Sequence, residues 1–338
     1  TWNRSSNAIR TDSSGLIETM GADVPRVDYE DGDAAILFEP EATNFFPYSE
    51  DVTQWSFQFS TSITLNDAIA PDGTMTATKL QNTFNTRSVG NPVIAASNAI
   101  VSFWMKWPIG DQLRLDTAQA NYFYTGTGQW ERVVVNENRN SCKYRLFPQG
   151  NTGHIWGCNF TTGADVTSTI QTNGTSITRT KDICENAGST SLINSEEGVL
   201  YAEVAALTNT GNNRSISISD GTTDNAIKLI LTSTGDIQGD CTTNSSGVQV
   251  STTLTHTPAF NITEYTKIAF KYSLNDFALW VNGVKVDFDT TGNVPSASVL
   301  SELSFDRGDT FNSFEGKVKA TAVFKEVLTD TELQNLTS

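Results

Sequence analysis

The side chains able to do chemistry in this 338-residue sequence are few and scattered. Its two histidines, His154 and His256, are each isolated and read as structural or surface residues. The sequence carries no Gly-x-Ser-x-Gly elbow, no phosphate-binding loop and no His-Glu-x-x-His motif. Glycoside hydrolysis with retention needs two carboxyls about 5 Å apart, held on one face of the structure that carries them. The acids nearest a strand, Glu196, Glu197 and Glu203, have the wrong spacing, and Glu203 reads as a solvated residue on an alternating strand. The expectation is a chain that is not an enzyme.

The aromatic residues offer a different chemistry. An exposed ring stacks on the C–H face of a sugar, while nearby amides and carboxylates hold its hydroxyls. The candidates are Trp104, Trp107, Tyr122 and Tyr124. Along 100–107, Val101, Phe103, Met105 and Trp107 share one strand face, and Ile100, Ser102, Trp104 and Lys106 share the other. The company of Ser102 and Lys106 makes Trp104 the better candidate for an exposed ring. Trp55, Trp130, Trp156 and Trp280 are assigned to cores or sheet packing.

Loop carboxylates supply the metal candidates. Asp287 and Asp289, just past a hairpin, are hard oxygen donors suited to Ca2+, and Asp236 and Asp240 stand in another loop. No loop has an EF-hand spacing, and solvated turn aspartates are the competing reading. No other cofactor is expected. The four cysteines, Cys142, Cys158, Cys184 and Cys241, are read as buried free thiols, with a Cys142–Cys158 disulfide as the alternative.

Composition limits the partners. The formal charge is −16 with no Lys/Arg cluster, which argues against nucleic acid, and no apolar run approaches the length of a membrane-spanning helix. Residues 1 onward lack a signal-peptide pattern, and the opening Thr1 leaves room for residues before it. Only 18% of residues are charged, while Thr, Ser, Asn and Gly abound, a mixture suited to strands joined by polar turns.

The elements that must position these residues are accordingly short strands. Ala35-Ile36-Leu37-Phe38 is a buried strand stopped by Glu39-Pro40, inside an otherwise irregular arm over 1–40. Strands follow at Ser56–Phe59, 100–107, 130–135 and 154–158, with a Pro-preset turn at Ala70-Pro71-Asp72-Gly73. Residues 162–191 turn to Thr, Ser, Asn and Gly and mark a boundary between domains over 41–180 and 181–338. The second domain alternates more cleanly, at 199–204, 227–231 and 267–272. Asn282-Gly283 between alternating strands predicts a type I′ hairpin, because both turn residues must take positive φ. Strand 314–324 closes the sheet, and Thr329-Asp330-Thr331-Glu332-Leu333 reads as a cap and one helical turn. The fold class is all-β: two β-sandwich, jelly-roll-like domains behind an extended N-terminal arm.

Two stretches carry resemblances. Residues 190–335 resemble the concanavalin A-like lectin/glucanase superfamily in its laminin-G-like branch, through Leu279–Val284, Phe314–Val318 and Val327–Leu333. Glucanases on that fold carry a Glu-x-Asp-x-x-Glu strand, which is missing here. Residues 1–180 resemble a module of bacteriophage tail and head-fibre proteins with a carbohydrate-binding-module-like jelly roll. Its marks are Arg4–Arg10, Ser14–Glu18, Pro25–Tyr29, Leu37–Asn44 and Tyr48–Trp55, then Ala70–Thr74 and Ile155–Gly157. The resemblance implies a non-catalytic fibre or decoration protein on the virion surface, adhering to host or environmental polysaccharide. It implies other virion proteins as partners, no membrane insertion, and a homo-oligomer with a trimer favoured. A purely structural virion protein is the alternative, and a polysaccharide-degrading tailspike ranks below it.

Overall fold

In the computed structural model, residues 1–338 are described except 56, 59–60, 83–88, 95–97, 118–119, 138–141, 150, 210 and 246. For 57–58, 89–94, 137, 142–144 and 245 the backbone alone is described. Apart from a 3-10 turn at Val52–Gln54 and one helix at Asp330–Thr337, the described regular structure is all strand.

The chain divides into two compact units, and the expected separate arm over 1–40 is not one of them. Residues Ser5–Ala22 belong with Glu41–Thr180, whereas Thr1–Arg4 and Asp23–Pro40 belong with Lys181–Ser338. The cause lies in backbone pairing and burial. Ala35–Phe38 pairs with the strand Gly316–Phe324, and Val27–Asp28 pairs with Ala35–Phe38 in turn, extending a sheet of the later unit. The hairpin of Ala8–Thr11 and Ile17–Met20 instead buries Ile9 and Ile17 against the other unit's Ala70, Ala77 and Trp156.

The unit built mainly from Glu41–Thr180 is a sandwich of two five-stranded antiparallel sheets. One runs in the order Asn121–Thr125, Gln112–Asp116, Cys142–Phe147, Val89–Ile94, Phe57–Gln58. The other runs Trp130–Glu137, Ala99–Lys106, Thr152–Thr162, Ala77–Gln81, Ser62–Ala68. Val101, Phe103 and Met105 alternate inward from the second sheet to meet Leu113, Leu115 and Leu146 of the first. This period-two burial is what makes the segment a strand with one committed face.

The other unit pairs a seven-stranded sheet with a five-stranded one. The larger runs Val284–Asp289, Phe277–Val281, Thr266–Ser273, Glu197–Ala206, Gly316–Phe324, Ala35–Phe38, Val27–Asp28. The smaller runs Val248–His256, Ile237–Ser245, Ala226–Leu231, Arg214–Ser219, Glu302–Ser304. Leu200, Phe270 and Leu279 from one and Ile216, Ile227 and Leu229 from the other fill the core between them. The hairpin joining Val281 to Val284 has Asn282 at φ 47° and Gly283 at φ 79°, the positive pair its sequence demands. On the outer face of the large sheet, Leu333 of the terminal helix packs among Val199, Tyr201 and Trp280. That helix runs longer than one turn. Its start is fixed by a capping box, in which the Thr329 hydroxyl accepts from Glu332 N and the Glu332 carboxylate accepts from Thr329 N.

Buried charge ties the early segments of this unit to its later part. Arg4 Nη1 meets Asp182 Oδ1 at 3.0 Å, Arg26 Nη1 meets Glu39 Oε2 at 2.5 Å, and Arg26 Nη2 also pairs with Asp182. Glu39 N donates to Asp182 Oδ2 at 2.9 Å. All four side chains are excluded from solvent, so each charge depends on the others for compensation.

Candidate functional site

The sequence-predicted aromatic residues do not form an exposed platform. Trp107 is fully buried in the first sandwich core, its ring lying against Gly153. Its place on the Val101, Phe103, Met105 face commits it to packing. Trp104 does occupy the opposite face, yet it is half-buried rather than exposed. It packs with Ile9 and Ile17 of the Ala8–Met20 hairpin and with Trp156, and its Nε1 is buried with no hydrogen-bond partner among the described residues. Tyr122 and Tyr124 are half-buried and turn inward against the core, while Phe123 between them is 53% exposed. Burial, reinforced by Tyr122, pushes the Tyr124 hydroxyl up to about 12.

The metal candidates are occupied by protein donors. Asp287 Oδ2 accepts from Thr255 N at 2.9 Å, and Asp289 Oδ1 accepts from the Thr291 backbone and hydroxyl, each at 2.8 Å. Those Thr291 hydrogen bonds hold the Asp289 carboxyl below its usual range. Asp236 accepts from the Thr257 and Thr234 hydroxyls, and Asp240 pairs with Lys228 at 2.8 Å. Among the described residues no three His, Cys, Asp or Glu side chains converge. Cys158 and Cys241 are buried free thiols, and Cys184 is free and half-buried; the Cys142 side chain lies outside the described residues.

A concave feature lined by several polar groups lies elsewhere, in the first sandwich unit. It is a cleft of about 510 Å³ walled by three segments. Tyr48, Glu50 and Asp51 supply one wall, and Gln171, Thr172 and Asn173 supply another. These two segments run antiparallel through a Tyr48–Asn173 bridge. Ser49 pins them: its N and Oγ both donate to Thr172 O at 3.3 Å, and its Oγ accepts from Thr172 N at 2.9 Å. The third wall is a bulge on the edge strand Ser62–Ala68. Thr64 pairs with Lys79 and Ala68 with Ala77, so Leu65, Asn66 and Asp67 stand opposite Thr78 alone. The extra residues are thrown outward, with Asn66 at φ 55°, and Leu65 and Asn66 turn into the cleft.

Glu50 is the charged centre of the cleft. Gln171 Nε2 donates to its Oε1 at 3.0 Å, and among the described residues Oε2 has no donor. Burial pushes the Glu50 carboxyl above the usual carboxylate range; the Gln171 bond opposes this and the nearby Asp72 charge adds to it. Asp51 is differently engaged, capping the Val52–Gln54 turn by accepting from Thr53 N at 3.0 Å and from the Thr53 hydroxyl. The Tyr48 hydroxyl and the amides of Asn66 and Asn173 have no side-chain partners among the described residues. Leu65 and Ile177 complete the rim with partly exposed apolar surface. The lining brings a tyrosine that also packs on the core, aliphatic rim contacts, two amides and a half-buried carboxylate around one polar cavity.

No known protein family matches the chain, and neither does any curated protein. Among solved structures it is similar to the CBM40 of Ruminococcus gnavus IT-sialidase, at 18% identity over 46% of this chain and 94% of that one, TM-score 0.38. It is also similar to domain 4 of AbnA, a GH43 extracellular arabinanase from Geobacillus stearothermophilus solved with arabinotriose. There the identity is 12% over 47% of this chain and 73% of that one, TM-score 0.36. Domains LG4-5 of the mouse laminin alpha1 chain match at 10% identity over 72% and 88%, TM-score 0.28. Scores this low carry no argument, and the assignment of two β-sandwich units rests on the sheets described above.

Proposed function

We propose that this chain is a non-catalytic glycan-binding protein whose binding site is the cleft between Tyr48–Asp51 and Gln171–Asn173. The observation that carries the reading is the set of polar groups lining it that have no side-chain partner among the described residues: the Tyr48 hydroxyl, the Asn66 and Asn173 amides and Glu50 Oε2. A sugar presents hydroxyls that both donate and accept, and amides with a carboxylate are the side chains that satisfy both senses. The volume of about 510 Å³ falls in the range of small-ligand sites and suits a few sugar residues. Following the resemblance of residues 1–180, the chain acts on a phage virion surface as a fibre or decoration protein, in several copies. There, weak single sites combine by avidity.

Hydrolysis is a second reading, favoured by one observation: Glu50 is a half-buried acid in a cleft, and burial pushes its carboxyl upward, the direction a general acid needs. Against it, the neighbouring Asp51 is committed to capping its own turn.

Affinity electrophoresis through gels containing bacterial polysaccharides tests both. Wild type is retarded, Asn173→Ala migrates freely, and no reducing ends appear on long incubation. Equal migration of the two proteins in every gel overturns the binding site, and release of reducing ends that Glu50→Gln abolishes establishes the hydrolase instead.

A further inference from the structure

The cleft's charge defines the class of sugar it accepts. Among the described residues that line it there are two carboxylates, Glu50 and Asp51, and no Lys or Arg. Asp72 adds to this sign, because its charge acts on Glu50. Two described cations near the cleft are engaged by other groups: Lys79, next to the lining Thr78, pairs with Asp67 at 2.6 Å. Arg179 lies in an adjoining cleft, buried, with Nη1 donating to Ser168 Oγ at 3.1 Å.

From these positions we infer, resting on the glycan-binding reading, that the cleft selects by charge, taking amino-bearing and neutral oligosaccharides and rejecting acidic ones. Glu50 carries the selection. One of its oxygens is held by Gln171, which fixes the carboxylate in place, and among the described residues the other has no donor. An amino group there gains a charge-assisted hydrogen bond with a half-buried partner. A uronate or sialate carboxylate would bring a further negative charge against Glu50 and Asp51, with no cation among the described lining residues to receive it. Neutral sugars keep the amide and rim contacts without either effect.

The test compares four oligosaccharides of equal length: glucosamine, N-acetylglucosamine, glucose and galacturonate oligomers. Binding is measured by titration calorimetry on the full chain at two salt concentrations. The expected order is amino above neutral, with the galacturonate oligomer weaker than the amino oligomer by about tenfold or more, and a gap that narrows as salt rises. Glu50→Gln removes the amino-over-neutral preference. The control Asp33→Asn, an exposed acid of the other unit, leaves the ratio unchanged and so separates the cleft from general attraction to an acidic protein. Tight galacturonate binding, or a ratio that Glu50→Gln does not move, overturns the charge selection while leaving a glycan site standing. Failure of all four oligomers to bind overturns the glycan reading and the selection with it.

Discussion

Gln171 Nε2 donates to Glu50 Oε1 at 3.0 Å, joining segments 121 residues apart in sequence across the floor of one cleft. This bond holds a carboxylate where folding alone does not favour one. Burial raises the Glu50 carboxyl above its ordinary value of 4.5, so the folded chain binds this proton more tightly than the unfolded chain. Stability therefore falls as pH rises from the unfolded value through the folded one, and the full penalty is present above that interval. Glu50→Gln removes the penalty. In urea titrations the variant and wild type unfold at equal denaturant near pH 4, and the variant becomes the more stable at pH 7. An equal difference at both pH values would refute the burial argument. Such gains on removing a site residue are common where function opposes stability.

Trp107 and Gly153 are fitted to each other in the first sandwich core. A Cβ on Gly153 would lie 2.2 Å from Trp107 Cε3. Gly153→Ala thus forces the ring or the strand Thr152–Thr162 to move, at a cost of about 1–3 kcal/mol. Chemical denaturation with tryptophan fluorescence reads this directly, and an unchanged midpoint would place Trp107 outside the core.

Asp182 is shared by the buried guanidiniums of Arg4 and Arg26. Asp182→Ala strips both of one carboxylate in a site without solvent, a change worth about 3–5 kcal/mol. The loss is expected in the unfolding of the later unit. A shift below about 1 kcal/mol would mean that water or other groups replace the carboxylate.

Asp287 and Asp289 already accept from Thr255 and Thr291. Millimolar Ca2+ is expected to leave the melting temperature of the chain unchanged, and EDTA likewise. A rise with Ca2+ that Asp289→Asn abolishes would restore the metal reading.

The sequence was informative where one local rule determined the outcome. Asn282-Gly283 announced its hairpin because two consecutive positive φ angles leave few residue choices. The alternation of Val101, Phe103 and Met105 identified a core face. Alternation also puts Trp104 on the opposite face, yet nothing local in the sequence reveals that the Ala8–Met20 hairpin, about 90 residues earlier in the chain, packs beside it. Tyr122, Phe123 and Tyr124 are all aromatic, so alternation could not tell which parity faced inward. The cleft was hidden for a related reason. Residues 162–191 lack large apolar side chains and read as a boundary, but Gln171–Asn173 within them are held by Ser49 through backbone pairing that leaves no hydrophobic pattern. The bulge at Leu65–Asp67 gave as little warning, since only register with the strand Ala77–Gln81 defines it.

The most direct measurement is an NMR titration of the full chain with an oligosaccharide that retards it in gels, following side-chain amide and indole resonances. The Gln171 and Asn173 side-chain amides are expected to shift with saturation, while the Trp104 and Trp107 indole signals stay in place. Shifts confined to the Trp104 indole, or to the later unit, with the Gln171 and Asn173 amides unmoved, would contradict a binding site in the cleft.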